Sequence, residues 1–208
     1  MKNWENIFQD KIKKIATSDD PAHDLLHFQR VVKTAKQICE FERGCFEEVI
    51  PAAWLHDFVI VPKDSPLRSQ ASKISAEAAI NFLKEIKYPH QFYDNIFHAI
   101  EAHSFSANRQ TQTLESKIVQ DADRLDGLGA IGIARCFATA GLLKRPFYSS
   151  EDPFCKNRPP DDSLYTVDHF YKKLFKVAES LKTKTGQELG IKRVENMKQY
   201  LHALELEL

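Results

Sequence analysis

The sequence predicts an all-α protein folded as a single domain over residues 1–208. Three observations carry that expectation. Apolar residues recur three and four positions apart through successive segments, the spacing that lines one face of a helix. The only strand-like stretch, Phe58-Val59-Ile60-Val61, runs into Pro62 and Pro66 and has no partner, so it reads as a loop. No internal repeat and no break in composition divides the chain.

In chain order, Trp4, Ile7, Phe8, Ile12 and Ile15 predict a first helix over roughly 2–17. Ser18-Asp19-Asp20-Pro21 restarts the chain, with Asp20 as N-cap and Pro21 in the first helical position. That second helix runs to about Arg43 and ends at Gly44, with His27, Val31, Thr34, Ala35 and Ile38 on one face. Phe46, Val49, Ile50, Ala53 and Asp57 line a third. Further helices are expected over Ala71–Ile86, Gln91–His103, from near Leu114, and over Leu128–Leu143. Lys144 to Ser163 holds four prolines and reads as a long loop. Helices over Leu164–Leu181 and Gln187–Leu206 complete the reading. The expected metal-binding core covers about 20–145, with helices at about 164–207 packed on it.

The charge balance excludes a bulk electrostatic partner. Twenty-nine basic residues meet 29 acidic ones, which gives no support for binding a nucleic acid polymer or an anionic membrane. Cys39, Cys45, Cys136 and Cys155 form no C-x-x-C pair, so a reducing compartment is expected. Met1-Lys2-Asn3-Trp4-Glu5 lacks a signal-peptide core, and no apolar run approaches the ~20 residues of a membrane span. The expected location is cytoplasmic.

Four residues suggest chemistry: His27, His56, Asp57 and Asp123. Ala52-Ala53-Trp54-Leu55-His56-Asp57 closes an apolar helix with an imidazole and a carboxylate. Such a pair can be a helix running out into solvent, or it can hold a cation, because a buried carboxylate needs a partner. His27 on an apolar face can be a hydrogen-bonded core residue or a ligand. Asp123, among the acids of Gln120-Asp121-Ala122-Asp123-Arg124-Leu125-Asp126, can lie on a solvated face or point inward with Val119. Two imidazoles and two carboxylates form a mixed N/O set. That set suits Mn, Fe, Co, Ni or Zn better than Mg or Ca, although Mg remains open.

His27-Phe28-Gln29-Arg30-Val31, then His56-Asp57, then Ala122-Asp123-Arg124-Leu125, resembles the ordered signature of the HD-domain metal-dependent phosphohydrolases. The likeness is closer to the YedJ-like branch. It extends through Ala22-His23-Asp24, Ala102-His103-Ser104-Phe105-Ser106, Glu151-Asp152-Pro153-Phe154, Asp168-His169-Phe170 and Lys173-Leu174. The resemblance implies an HD-type helical bundle in which His27, His56, Asp57 and Asp123 bind one divalent metal. It implies hydrolysis of a phosphate ester or anhydride, often of a nucleotide, with pyrophosphate or single phosphates released. A Lys and an Arg stand in that branch at the places of Lys63 and Arg68, as substrate contacts.

His103 shares a face with Phe92, Ile96, Ala99 and Ile100, which aims it inward as a substrate contact, proton donor or second-metal ligand. His98 sits about 140° around the same helix, so the two can hardly share one metal. The family often places an acid one turn after the HD pair. Here Val59, Ile60 and Val61 stand there, which leaves Asp126 or His103 as the general base. The loop from Lys144 to Ser163, with Tyr148, Lys156 and Arg158, is a candidate lid. A metal-bound ligand sensor without turnover and a helical adaptor are the competing classes. A homodimer through the C-terminal helices is open.

Two motifs mislead. His23-Asp24-Leu25-Leu26-His27 mimics the H-E-x-x-H helix of zinc proteases, but Asp replaces the catalytic Glu. Gly127-Leu128-Gly129-Ala130-Ile131-Gly132 fits G-x-G-x-x-G. An acidic, helical stretch precedes it where a dinucleotide fold needs a buried strand.

Overall fold

The structure is a computed structural model that describes residues 4–16, 24–61, 65–104 and 109–208. Among these residues every regular element is helical. The α-helices are α1 (Trp4–Lys13), α2 (Leu25–Glu42), α3 (Phe46–Leu55), α4 (Ala71–Glu85), α5 (Tyr93–His103), α6 (Leu114–Asp126), α7 (Gly129–Leu142), α8 (Phe175–Glu179) and α9 (Lys184–Leu206). No single helix is long and apolar enough to cross a membrane, among the described residues. The chain forms two compact units. Met1–Asp123 with Lys182–Gly186 makes the first, and Arg124–Leu181 with Gln187–Leu208 the second.

In the first unit α3 packs against α1, α2 and α5, and α4 packs against α5. Val49, Ala52, Ala53 and Leu55 are all fully buried, as befits a helix apolar on every side. The two alanines let neighbouring helices approach. Phe28, Val31 and Ile38 of α2 and Ile96 and Ile100 of α5 fill the surrounding core. Each such side chain contributes about 1.5–3 kcal/mol on burial.

Pro51 lies inside α3 and lacks the N–H that would bond the Glu47 carbonyl. Tyr88 Oη donates to that carbonyl at 2.7 Å and replaces the lost bond. The helix therefore continues through the proline to Leu55 and delivers His56 and Asp57 at its end.

Helix α2 starts later than the expected Asp20-Pro21, which lies outside the described residues. Its N-cap is Asp24, whose carboxylate accepts the His27 N–H at 2.8 Å. At the other end Arg43, not Gly44, takes the left-handed conformation (φ 60°), and its N–H bonds the Cys39 carbonyl. Gly44 serves a different need: a Cβ there would lie 2.7 Å from Ile118 Cδ1.

Helix α9 begins at Lys184 rather than Gln187, because Asp121 caps it. The fully buried Asp121 carboxylate accepts Lys182 N–H at 3.0 Å, and Thr183 N–H and Oγ1–H at 2.7 Å each. Gly186 allows that approach; a Cβ would lie 2.5 Å from Asp121 Oδ2.

In the second unit the expected helix over Leu164–Leu181 starts only at Asp168. The preceding residues are spent on the loop: Thr166 N–H and Oγ1–H bond the Pro146 carbonyl, and Val167 N–H bonds Phe147. A π-helical turn over Phe170–Leu174 leads into α8. Phe170 is fully buried among Phe137, Phe175 and Tyr200. Buried Asp168 accepts two bonds from Arg158, at 2.5 and 2.8 Å, and one from Asp161 N–H at 2.6 Å. Arg158 is thus the anchor of the long loop and not a free arm of a lid.

The glycine run after Asp126 is a helix junction. Gly129 has φ +69°, and a Cβ on Gly132 would overlap the Gly127 carbonyl.

Candidate metal centre

The first unit brings His27, His56, Asp57 and Asp123 together. His27 stands in the third position of α2, one turn before Val31, and is buried with the apolar face. His56 follows the last residue of α3 and is fully buried. Asp123 sits in α6.

Backbone carbonyls fix two of the imidazoles. His56 Nδ1 lies 2.8 Å from the Ala53 carbonyl, and His103 Nδ1 lies 2.6 Å from the Ile100 carbonyl. A carbonyl only accepts, so Nδ1 carries the proton in both rings and Nε2 faces the site. Burial, more than any charge nearby, lowers the His56 pKa to about 4, which keeps the ring neutral and its Nε2 lone pair available.

The donor atoms converge. His27 Nε2 lies 3.2 Å from His56 Nε2 and 3.7 Å from Asp123 Oδ1. His56 Nε2 lies 3.8 Å from Asp123 Oδ1 and 3.6 Å from Asp57 Oδ2. One ligand atom each from His27, His56 and Asp57 falls within 4.8 Å of the others. Ligands at about 2.1 Å from one ion lie about 3.0 Å apart when adjacent and about 4.2 Å when opposite. The four separations of 3.2, 3.6, 3.7 and 3.8 Å fall inside that range, as the donors of a single divalent cation would. The carboxyl ends of α3 and α5 both reach this place, and their dipoles favour positive charge there.

His103 is buried beside the cluster, with Nε2 3.4 Å from Asp57 Oδ1. Asp57 therefore faces His56 with one oxygen and His103 with the other. Burial opposes a charge on His103, but the bond to Asp57 and the charges of Asp57 and Asp123 outweigh it and raise the pKa to about 9. A cation at the centre acts in the opposite sense.

Arg68 and Asp126 each hold a further contact. Arg68 donates from Nη1 to the Val61 carbonyl at 2.8 Å and so ties down the segment after Asp57. Lys63 lies outside the described residues, as does His23. Val59 is fastened through both N–H and C=O to Ser75 Oγ, at 3.1 and 3.2 Å, and no acid stands at 59–61. Asp126 belongs to the second unit, where Arg135 Nη1 bonds its Oδ2 at 2.6 Å. That oxygen is engaged, which weakens Asp126 as a base. His98 Nε2 accepts the Gln112 N–H at 2.9 Å, a structural role. Asp24 is a helix cap, which removes it from any protease-like role. In the sequence the signal for this cap is an Asp directly ahead of the apolar run that opens at Leu25-Leu26.

The HD domain model matches residues 25–128, which spans every residue of this cluster. YpgQ of Bacillus subtilis, an uncharacterized protein, is 30% identical over 201 residues, covering 95% of this chain and 90% of its own. The crystal structure of Bacillus subtilis YpgQ in complex with ADP superposes with a TM-score of 0.73 at 32% identity, covering 96% of this chain and 97% of that one. An HD-superfamily hydrolase from Bacillus thuringiensis gives a TM-score of 0.76 at 29% identity, covering 98% and 96%.

Proposed function

Because the chain belongs to the HD-domain family and is a metal-dependent phosphohydrolase of that superfamily, we propose that its substrate is a nucleotide carrying a phosphate ester or anhydride. The observation that carries this reading is the convergence of His27, His56, Asp57 and Asp123 around one point, with the His56 lone pair aimed at it. The similarity to a protein whose structure holds ADP supports a nucleoside phosphate over other esters.

An N/O donor set of this kind favours Mn, Fe, Co, Ni or Zn over Mg. When bound there, such an ion lowers the pKa of a water and polarises a phosphoryl oxygen. The protein's own part is to hold the reactants and to move protons. His103, beside Asp57 and buried, is the proton-transfer group of this proposal; Asp126 is held by Arg135. Arg68 spends one of its five N–H donors on Val61 and, with Lys63, supplies positive charge to the phosphates.

The test is release of phosphate and pyrophosphate from nucleoside mono-, di- and triphosphates, each with Mn²⁺, Co²⁺, Ni²⁺, Zn²⁺ and Mg²⁺. Turnover is expected with a transition metal, lost in Asp123→Ala and kept in Cys136→Ala. No release from any pairing of nucleotide and metal refutes the nucleotide assignment.

A further inference from the structure

Helix α6 carries Gln120, Asp121 and Asp123 within one turn. Asp123 belongs to the centre and Asp121 caps α9. Gln120 has no part in either. It is 1% exposed. Its Nε2 donates to the Ala102 carbonyl at 2.6 Å, while its buried Oε1 has no partner among the described residues.

A half-satisfied buried amide is a poor space-filler, since Met or Leu of similar size leaves no polar atom wanting. The amide is there for its donor. Ala102 is the penultimate residue of α5, so its carbonyl lies beyond the helix's own N–H ladder. The Ile100 carbonyl of the same last turn is taken by His103 Nδ1. Two side chains thus close this helix end, His103 itself and Gln120.

We propose that Gln120 is a positioning residue for His103. By holding the Ala102 carbonyl it fixes the last turn of α5, and so the aim of His103 Nε2 at Asp57 Oδ1, 3.4 Å away. The proposal rests on the place of His103 in the site read above, but not on turnover.

The test is NMR of the full chain labelled with ¹⁵N-histidine, without substrate. The His103 and His56 ring N–H signals are assigned by their loss in His103→Gln and His56→Gln. His56 bonds Ala53 and is the internal control. In Gln120→Met the His103 ring N–H is expected to exchange at least about tenfold faster, with His56 unchanged. Equal protection of both rings in wild type and Gln120→Met overturns the proposal. Should Gln120→Met lose both signals, Gln120→Asn, whose amide falls one methylene short of Ala102, is judged by the same criterion. Failure to release phosphate refutes the nucleotide reading alone, and a protected His103 ring in the variant refutes this one alone.

Discussion

Tyr88→Phe is the cleanest probe of how α3 survives its proline. The substitution removes one oxygen and leaves the ring packed edge-on to Trp4, 5.1 Å away, and beside Phe8. The lost contact is the 2.7 Å bond to the Glu47 carbonyl, which Pro51 cannot satisfy. A carbonyl left short of a donor costs about 1–3 kcal/mol, and Glu47 is a solvent-facing residue, so the low end applies: roughly 1–1.5 kcal/mol. For a chain of this size that is a fall in Tm of roughly 2–6 °C. Burial, with the Glu47 charge next, pushes the Tyr88 phenol from 10.0 up to about 12, so it stays protonated and donating at neutral pH. A raised folded-state pKa gives a contribution that is full below pH 10 and lost as pH climbs towards 12. The gap between wild type and Tyr88→Phe should close over that alkaline window. The decisive assay is a double-mutant cycle by thermal unfolding. Pro51→Ala restores an N–H to Glu47, so Tyr88→Phe should cost clearly less in that background. Equal losses with and without Pro51 refute the account.

Other outcomes follow from the same geometry. A divalent ion at 100 times its Kd should stabilise the protein by about 2.7 kcal/mol, and a scanning calorimeter should see that gain vanish with EDTA or in Asp123→Ala. Asp168 is pulled two ways: burial raises its pKa, while Arg158 and the Asp161 N–H bring it below 3.8 on balance. Its contribution is therefore full above that value and lost as pH falls through it. Asp168→Asn should unfold earlier than wild type at pH 7, with the difference narrowing in acid titrations followed by circular dichroism. Asp126→Asn should lower Tm with kcat largely kept, whereas His103→Gln should lower kcat by about 10²-fold or more. The reverse pattern in steady-state kinetics would return the base to Asp126.

Local signals made the helices legible. The periodicity of Phe8 and Ile12, or of Val31, Ala35 and Ile38, marks faces that are indeed buried. Boundaries failed wherever a distant residue decided them. Asp121 lies 62 positions from Thr183, so nothing near Gly186 announces that its helix begins earlier. The periodicity from Phe46 to Asp57 carries α3 through Pro51, as the structure does, but only the fold shows that Tyr88 supplies the donor the Glu47 carbonyl lacks. The four candidate ligands are visible in the sequence as polar residues on or beside apolar faces, and the resemblance puts them in order. At Arg158 and Asp126 the sequence shows a charge but not the partner the fold gives it, Asp168 for the one and Arg135 for the other.

The contact between Asp121 and the turn at Lys182–Thr183 makes the metal-bearing half of this enzyme a discontinuous object. A fragment cut after Asp123 would keep all four candidate ligands yet lose the donors that Lys182 and Thr183 give the buried Asp121 carboxylate, so truncation there removes part of the unit. Any transplant of this centre must carry the short stretch 182–186 with it, spliced across the excised segment.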